Sequence, residues 1–100
     1  MPLVHLAFQE GFAAERIIAR IEGRIVLDKA LKTRMQIGLA DTVELEQPPG
    51  TTLLEIELPQ RGQRGSLQLA IAEVPLYVAI SLVPEGKIQI KASKEPFMYA

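Results

Sequence analysis

Pro48-Pro49-Gly50-Thr51-Thr52-Leu53-Leu54-Glu55-Ile56-Glu57-Leu58-Pro59 is the stretch that decides the fold class. A Pro-Pro-Gly turn opens it and a proline closes it. Between them Thr52, Leu54, Ile56 and Leu58 point one way, and Thr51, Glu55 and Glu57 the other, with Leu53 breaking the alternation. Side chains of a strand alternate faces, so this segment reads as a strand with one face on a core.

The same pattern recurs on both sides. Downstream, the polar run from residue 59 to residue 65 carries two glycines and reads as a hairpin loop. Leu67, Leu69 and Ile71 then share a face, followed by Leu76, Val78, Ile80 and Leu82. Pro84-Glu85-Gly86 signals a turn into a last strand, with Ile88 and Ile90 inward and Lys87, Gln89 and Lys91 outward. Upstream, Leu3–Phe8 is an apolar run suited to a buried or first edge strand. Residues 31–37 alternate as a further strand, and residues 42–46 put Val43 and Leu45 inward.

Residues 12–22 admit two readings. As a strand, Ile17, Ala19 and Ile21 face in, Arg16, Arg20 and Glu22 face out, and Glu22-Gly23 turns tightly into a partner strand with Ile25 and Leu27 inward. As a helix, Ala14, Ile17, Ile18, Ile21 and Ile25 form an amphipathic stripe capped by Gly23. The strand-rich surroundings favour the first. The expectation is an all-β chain: an antiparallel β-sandwich of about seven to nine short strands. The alternative is an α+β fold with one helix near 12–22.

The chain has 100 residues, enough for one domain with one core. Residues 1–92 are expected to form it, and 93–100 an apolar tail that packs on the domain or on a partner. Eleven basic and twelve acidic residues give a net charge of −1, so no long-range field points to nucleic acid or to an acidic membrane. With no cysteine, disulfides, thiolate metal sites and thiol nucleophiles are excluded. No basic leader and no membrane-length apolar run is seen, so a soluble, cytoplasmic protein is expected.

His5 is the lone histidine and lies among apolar neighbours, so a structural role is expected. Asp41, Glu44, Glu46, Glu55 and Glu57 would share one outer face if their two strands paired; a solvated face is expected, because no calcium-loop pattern is present. Arg61 and Arg64 flank Gly62 and are the candidate anion-binding pair, against the plainer reading of a solvated hairpin tip. Lys87, Lys91 and Lys94 are read as guards against edge-to-edge association. Tyr77 points off the core face beside Ala79 and Ala70, and with Phe97, Met98 and Tyr99 it makes up the candidate interaction residues. No Gly-rich phosphate loop, nucleophile elbow or zinc motif is found, so no catalytic residue, metal or cofactor is expected.

At Ile21-Glu22-Gly23-Arg24-Ile25-Val26 a strand, a Gly turn and a second strand precede the Pro48-Pro49-Gly50-Thr51 turn. This arrangement resembles carboxypeptidase regulatory-like (transthyretin-like) and PEGA-type bacterial β-sandwich modules over about half the chain. The resemblance implies a non-catalytic domain serving interaction or assembly. One transthyretin-like branch hydrolyses 5-hydroxyisourate with histidines, an arginine and a Tyr-Arg-Gly-Ser terminus. This chain has His5 alone and Phe97-Met98-Tyr99-Ala100 there, so the enzyme is not expected. The leading reading is a non-enzymatic interaction module, a homodimer or partner of another protein, joined by strand edges and the aromatic tail. A small anionic-ligand-binding domain using Arg61 and Arg64 is the alternative. A small hydrolase using His5 with a carboxylate is a third, disfavoured because no base–nucleophile pair is visible.

Overall fold

A computed structural model describes residues 2–9, 11–32, 39–83 and 87–95, without the Lys32 side chain. Among these residues the chain is all-β. Eight strands, β1 (Leu3–Phe8), β2 (Ala13–Ile21), β3 (Arg24–Lys32), β4 (Asp41–Glu46), β5 (Gly50–Leu58), β6 (Gln63–Ile71), β7 (Leu76–Leu82) and β8 (Ile88–Ser93), form two four-stranded sheets. Sheet A has the order β4-β1-β7-β8 and sheet B the order β3-β2-β5-β6. They pack face to face, with β3 meeting β4 along one margin and β6 meeting β8 along the other. Residues 13–21 are therefore strand, not helix.

Alternation predicts the core well. Thr52, Leu54, Ile56 and Leu58 of β5 are buried, as are Ile17, Ala19 and Ile21 of β2 and Leu76, Val78, Ile80 and Leu82 of β7. Val4, Leu6 and Phe8 complete it from β1, which lies inside sheet A between β4 and β7 and is not an edge. Ile88 and Ile90 are only partly buried, because β8 ends its sheet.

All pairings are antiparallel except one, since β1 runs parallel to β7. A parallel neighbour needs a long crossover. Among the described residues no helix supplies it; the chain passes through β2 and β3 of sheet B, β4 of sheet A, and β5 and β6 of sheet B before β7. From β1 the chain crosses to sheet B at a corner plugged by Phe12, whose ring meets Phe8 edge-on at 6.1 Å. Gly11 makes that corner possible. Its φ is +92°, and a Cβ there would lie 2.3 Å from the Leu82 carbonyl oxygen.

The β2–β3 hairpin closes at Glu22-Gly23 as expected. Both residues have positive φ, 51° and 79°, the signature of a type I′ turn whose twist suits a two-residue hairpin. Glutamate is an unusual choice for that backbone. Its side chain is held in place: Oε1 accepts hydrogen bonds from the Thr52 hydroxyl at 2.7 Å and the Leu53 N–H at 3.0 Å.

Four expectations are corrected. Ile25 is 56% exposed, not inward. The register shifts between Ala19 and Arg20, so Val26 is an extra residue opposite that step, and a bulge reverses which side chains face the core. The strand expected over 31–37 does not begin at Leu31, because Leu31 and Lys32 end β3; residues 33–37 lie outside the described residues. The acidic strands β4 and β5 do not pair. They belong to different sheets, so Glu44 and Glu46 share no face with Glu55 and Glu57, and Ala70 on β6 is likewise not beside Tyr77. Asp41 lies instead at the margin, where its carboxylate pairs with Lys29 of β3 and ties the two sheets together.

Candidate interaction face

Each sheet turns one face to solvent, and the two outer faces differ. On sheet B, β2 presents Arg16, Ile18 and Arg20 outward. Ile18 is nonetheless only 6% exposed. Arg16 grips Asp28 of β3 with both prongs, Nε to Oδ1 at 2.8 Å and Nη2 to Oδ2 at 2.9 Å. Arg20 donates to Oε1 of Glu57 on β5 at 2.9 Å, and Arg64 of β6 reaches the other oxygen at 3.3 Å. The pairs thus run across all four strands. The Arg16 hydrogen bond holds Asp28 below the usual aspartate range and raises the guanidinium's own pKa. The Arg20 hydrogen bond, with the Arg64 charge behind it, holds Glu57 below the usual glutamate range. Glu22 is lowered in the same direction by the Thr52 hydroxyl and the Leu53 N–H.

The candidate anion-binding residues both act in this sheet, yet apart. Arg64 serves Glu57 and lines a hollow of about 250 Å³ with Arg20, Ser66, Glu55 and Glu57. Arg61 turns the other way, its Nε donating to Oε2 of Glu15 at 2.6 Å. Glu15 lies opposite Leu31, whose side chain is in the core, and is itself only 12% exposed. Its second oxygen is buried with no hydrogen-bond partner among the described residues. Neighbouring Gln60 accepts the Arg16 backbone N–H at 3.0 Å, so the β5–β6 turn is stitched to the start of β2.

Sheet A is built differently. Across its outer face the register aligns Glu44, His5, Tyr77 and Ser93 on β4, β1, β7 and β8. The His5 and Tyr77 rings stack, with centroids 4.7 Å apart and planes within 10°. His5 Nδ1 lies 3.3 Å from Glu44 Oε1, and Glu44 itself is 64% exposed. The next row is Thr42, Ala7, Ala79 and Lys91. Ala7 and Ala79 are 6% and 5% exposed, so little of either methyl reaches solvent although both point off the core. A hollow of about 270 Å³ opens beside this row, lined by Gln9, Ala79, Ser81, Gln89 and Lys91 among others.

Of the sequence candidates, then, Tyr77 is placed outward as expected and gains a partner, His5, that its own surroundings in sequence did not show. His5 gains a carboxylate as well. Ser93 is two strand spacings from His5 in that row, roughly 10 Å, beyond hydrogen-bond reach. Phe97, Met98 and Tyr99 lie outside the described residues. Among the described residues no group of three or more histidine and carboxylate side chains could hold a metal ion, and no helix is long and apolar enough to cross a membrane. Comparison with protein-family models, curated protein sequences and solved structures finds no match.

Proposed function

We propose that this chain is a non-enzymatic interaction module that associates with a second copy of itself through the outer face of sheet A. The observation that carries this reading is the Tyr77–His5 stack beside the Ala7–Ala79 row. A stacked, half-exposed tyrosine offers apolar area with one polar tip at little entropic cost, and tyrosine is enriched at interfaces. The small alanines keep this row low, and the hollow lined by Ala79, Ser81, Gln89 and Lys91 beside it gives a partner side chain room to enter. A two-fold pairing would bring the same patch from both copies together. Among the described residues sheet B offers no such stack, and Arg16, Arg20 and Arg64 on its outer face are already paired with Asp28 and Glu57.

The resemblance to transthyretin-like and PEGA-type modules belongs to the same reading. Two four-stranded sheets, a Glu22-Gly23 hairpin and a strand entering after Pro48-Pro49 support it. The test is oligomeric state. Light scattering on the wild-type chain should show mass rising with concentration, and Tyr77→Ala should return it to the monomer. A wild-type chain that stays monomeric at high concentration removes the proposal.

A weaker reading keeps an anion in the Arg20–Arg64–Ser66 hollow. The two arginines and the hydroxyl favour it, and Glu55 and Glu57 on the same walls oppose it. A thermal shift by inorganic phosphate that Arg64→Ala abolishes would support it; no shift would end it.

A further inference from the structure

The outer face of sheet A carries its charge at two opposite margins. On the β4 margin the outward positions are Thr42, Glu44 and Glu46, all exposed. On the β8 margin they are Gln89, Lys91 and Ser93, with exposed Lys87 at the same parity just before the strand. Lys94 and Glu95, beyond the strand's end, offset each other. Between the margins, β1 and β7 present Leu3, His5, Ala7, Tyr77, Ala79 and Ser81, with no lysine, arginine or carboxylate among them.

Glu44 and Lys91 do not reach each other within one chain. Three strand spacings separate β4 from β8, roughly 14 Å, and the two residues stand in neighbouring rows, roughly 7 Å apart along the strands. Glu44 has the His5 ring beside it. Among the described residues Lys91 makes no ion pair. Charges at the rim of a contact set its orientation more than its raw affinity.

Two sheets in aligned face-to-face packing keep their strands within about 30° of each other. The two-fold axis relating two copies then lies in the contact plane, along the strands or across them. An axis across the strands lays β4 over the other copy's β4, so that Glu44 meets Glu44 and Lys91 meets Lys91. An axis along the strands, between β1 and β7, lays β4 over the other copy's β8. It also keeps each row level with itself, so Tyr77 lies over the other copy's His5 and Ala79 over its Ala7.

We propose that two copies pair about an axis parallel to the strands of sheet A, with Glu44 of each facing Lys91 of the other. This rests on the association through sheet A proposed above and fixes its geometry. A lysine reaches across one row, so the offset between Glu44 and Lys91 is bridged at both rims of the contact.

The experiment is charge exchange read by sedimentation equilibrium, with each chain shown to be folded by circular dichroism. Glu44→Lys alone and Lys91→Glu alone should each weaken self-association about tenfold or more, because like charges then face each other twice per dimer. An equimolar mixture of the two variants should associate, since every facing pair is again of opposite sign. The double variant, Glu44→Lys with Lys91→Glu, should associate with itself. It keeps the new lysine beside His5, so its recovery also excludes a local disturbance as the cause of the single-variant loss. A wild type that associates while the single variants match it, or a double variant that stays as weak as either, overturns the axis and leaves the association standing. A wild type that remains monomeric overturns both.

Discussion

The outer faces of the two sheets are made from similar materials and reach opposite outcomes. On sheet B three arginines and two carboxylates link four strands, and Ile18 lies nearly buried among them. On sheet A the outward positions carry a ring stack, two buried alanines and isolated polar groups. One face has satisfied its polar groups internally and holds the strands in register. The other links three of its strands only through the Glu44–His5–Tyr77 row and leaves that row partly exposed. Where a small domain spends its charge is thus a guide to which surface faces a partner.

If sheet B's outer face works as part of the structure, substitutions there should cost stability. The largest loss is expected for Ile18→Ala, about 2–4 kcal/mol by urea denaturation, close to a core truncation. A change below 1 kcal/mol would mean that the ion pairs do not shield it. Arg61→Ala, away from that face at the β5–β6 turn, comes next, about 1–3 kcal/mol, because it strands a mostly buried Glu15 carboxylate. Adding Glu15→Leu to that variant should recover most of the loss. If the double variant is as weak as the single, the pair is not what Arg61 contributes.

The third expectation concerns acid. Glu22, Asp28 and Glu57 have folded pKa values below their ordinary 4.5, 3.8 and 4.5. The unfolded chain therefore binds protons first as pH falls. Their stabilisation is full at neutral pH and drains away below about pH 4.5, as pH falls through the depressed folded values. Glu57→Gln should lower the melting temperature at pH 7 and flatten this acid slope. Because the pairs are partly exposed, salt should weaken the same effect. The smallest stability change is predicted on sheet A: Tyr77→Ala should cost about 1 kcal/mol, the worth of its stack, while association is lost. A large loss of stability would place Tyr77 with the structural residues and blur the contrast between the faces.

The alternation of Thr52, Leu54, Ile56 and Leu58, and of Leu76 through Leu82, made the strands and most of the core legible, because burial on one face imposes period two on the sequence. What stayed hidden is whatever depends on register between distant segments. Val26 is an ordinary strand residue in sequence, yet as a bulge it separates Ile25, which pairs with outward Arg20, from Leu27, which pairs with inward Ala19. Nothing local in β4 and β5 says that they belong to different sheets, or that β1 pairs in parallel with β7. Arg61 and Arg64 look equivalent in Pro-Gln-Arg-Gly-Gln-Arg-Gly, and pair with carboxylates on opposite sides of the turn. The nearest usable signal for the sheet A face was the outward parity of Tyr77 and Ala79. That His5 and Glu44 stand beside Tyr77 follows only from the strand order.

The most direct test sets one alanine against another. Ala79 lies on the outer face of sheet A and Ala70 on that of sheet B. Sedimentation of the wild type, Ala79→Arg and Ala70→Arg, each shown to be folded by circular dichroism, reads the central claim. Self-association in the wild type and in Ala70→Arg, with only monomer in Ala79→Arg, is the predicted result. Loss of association in Ala70→Arg with retention in Ala79→Arg, or equal behaviour of all three, would contradict it.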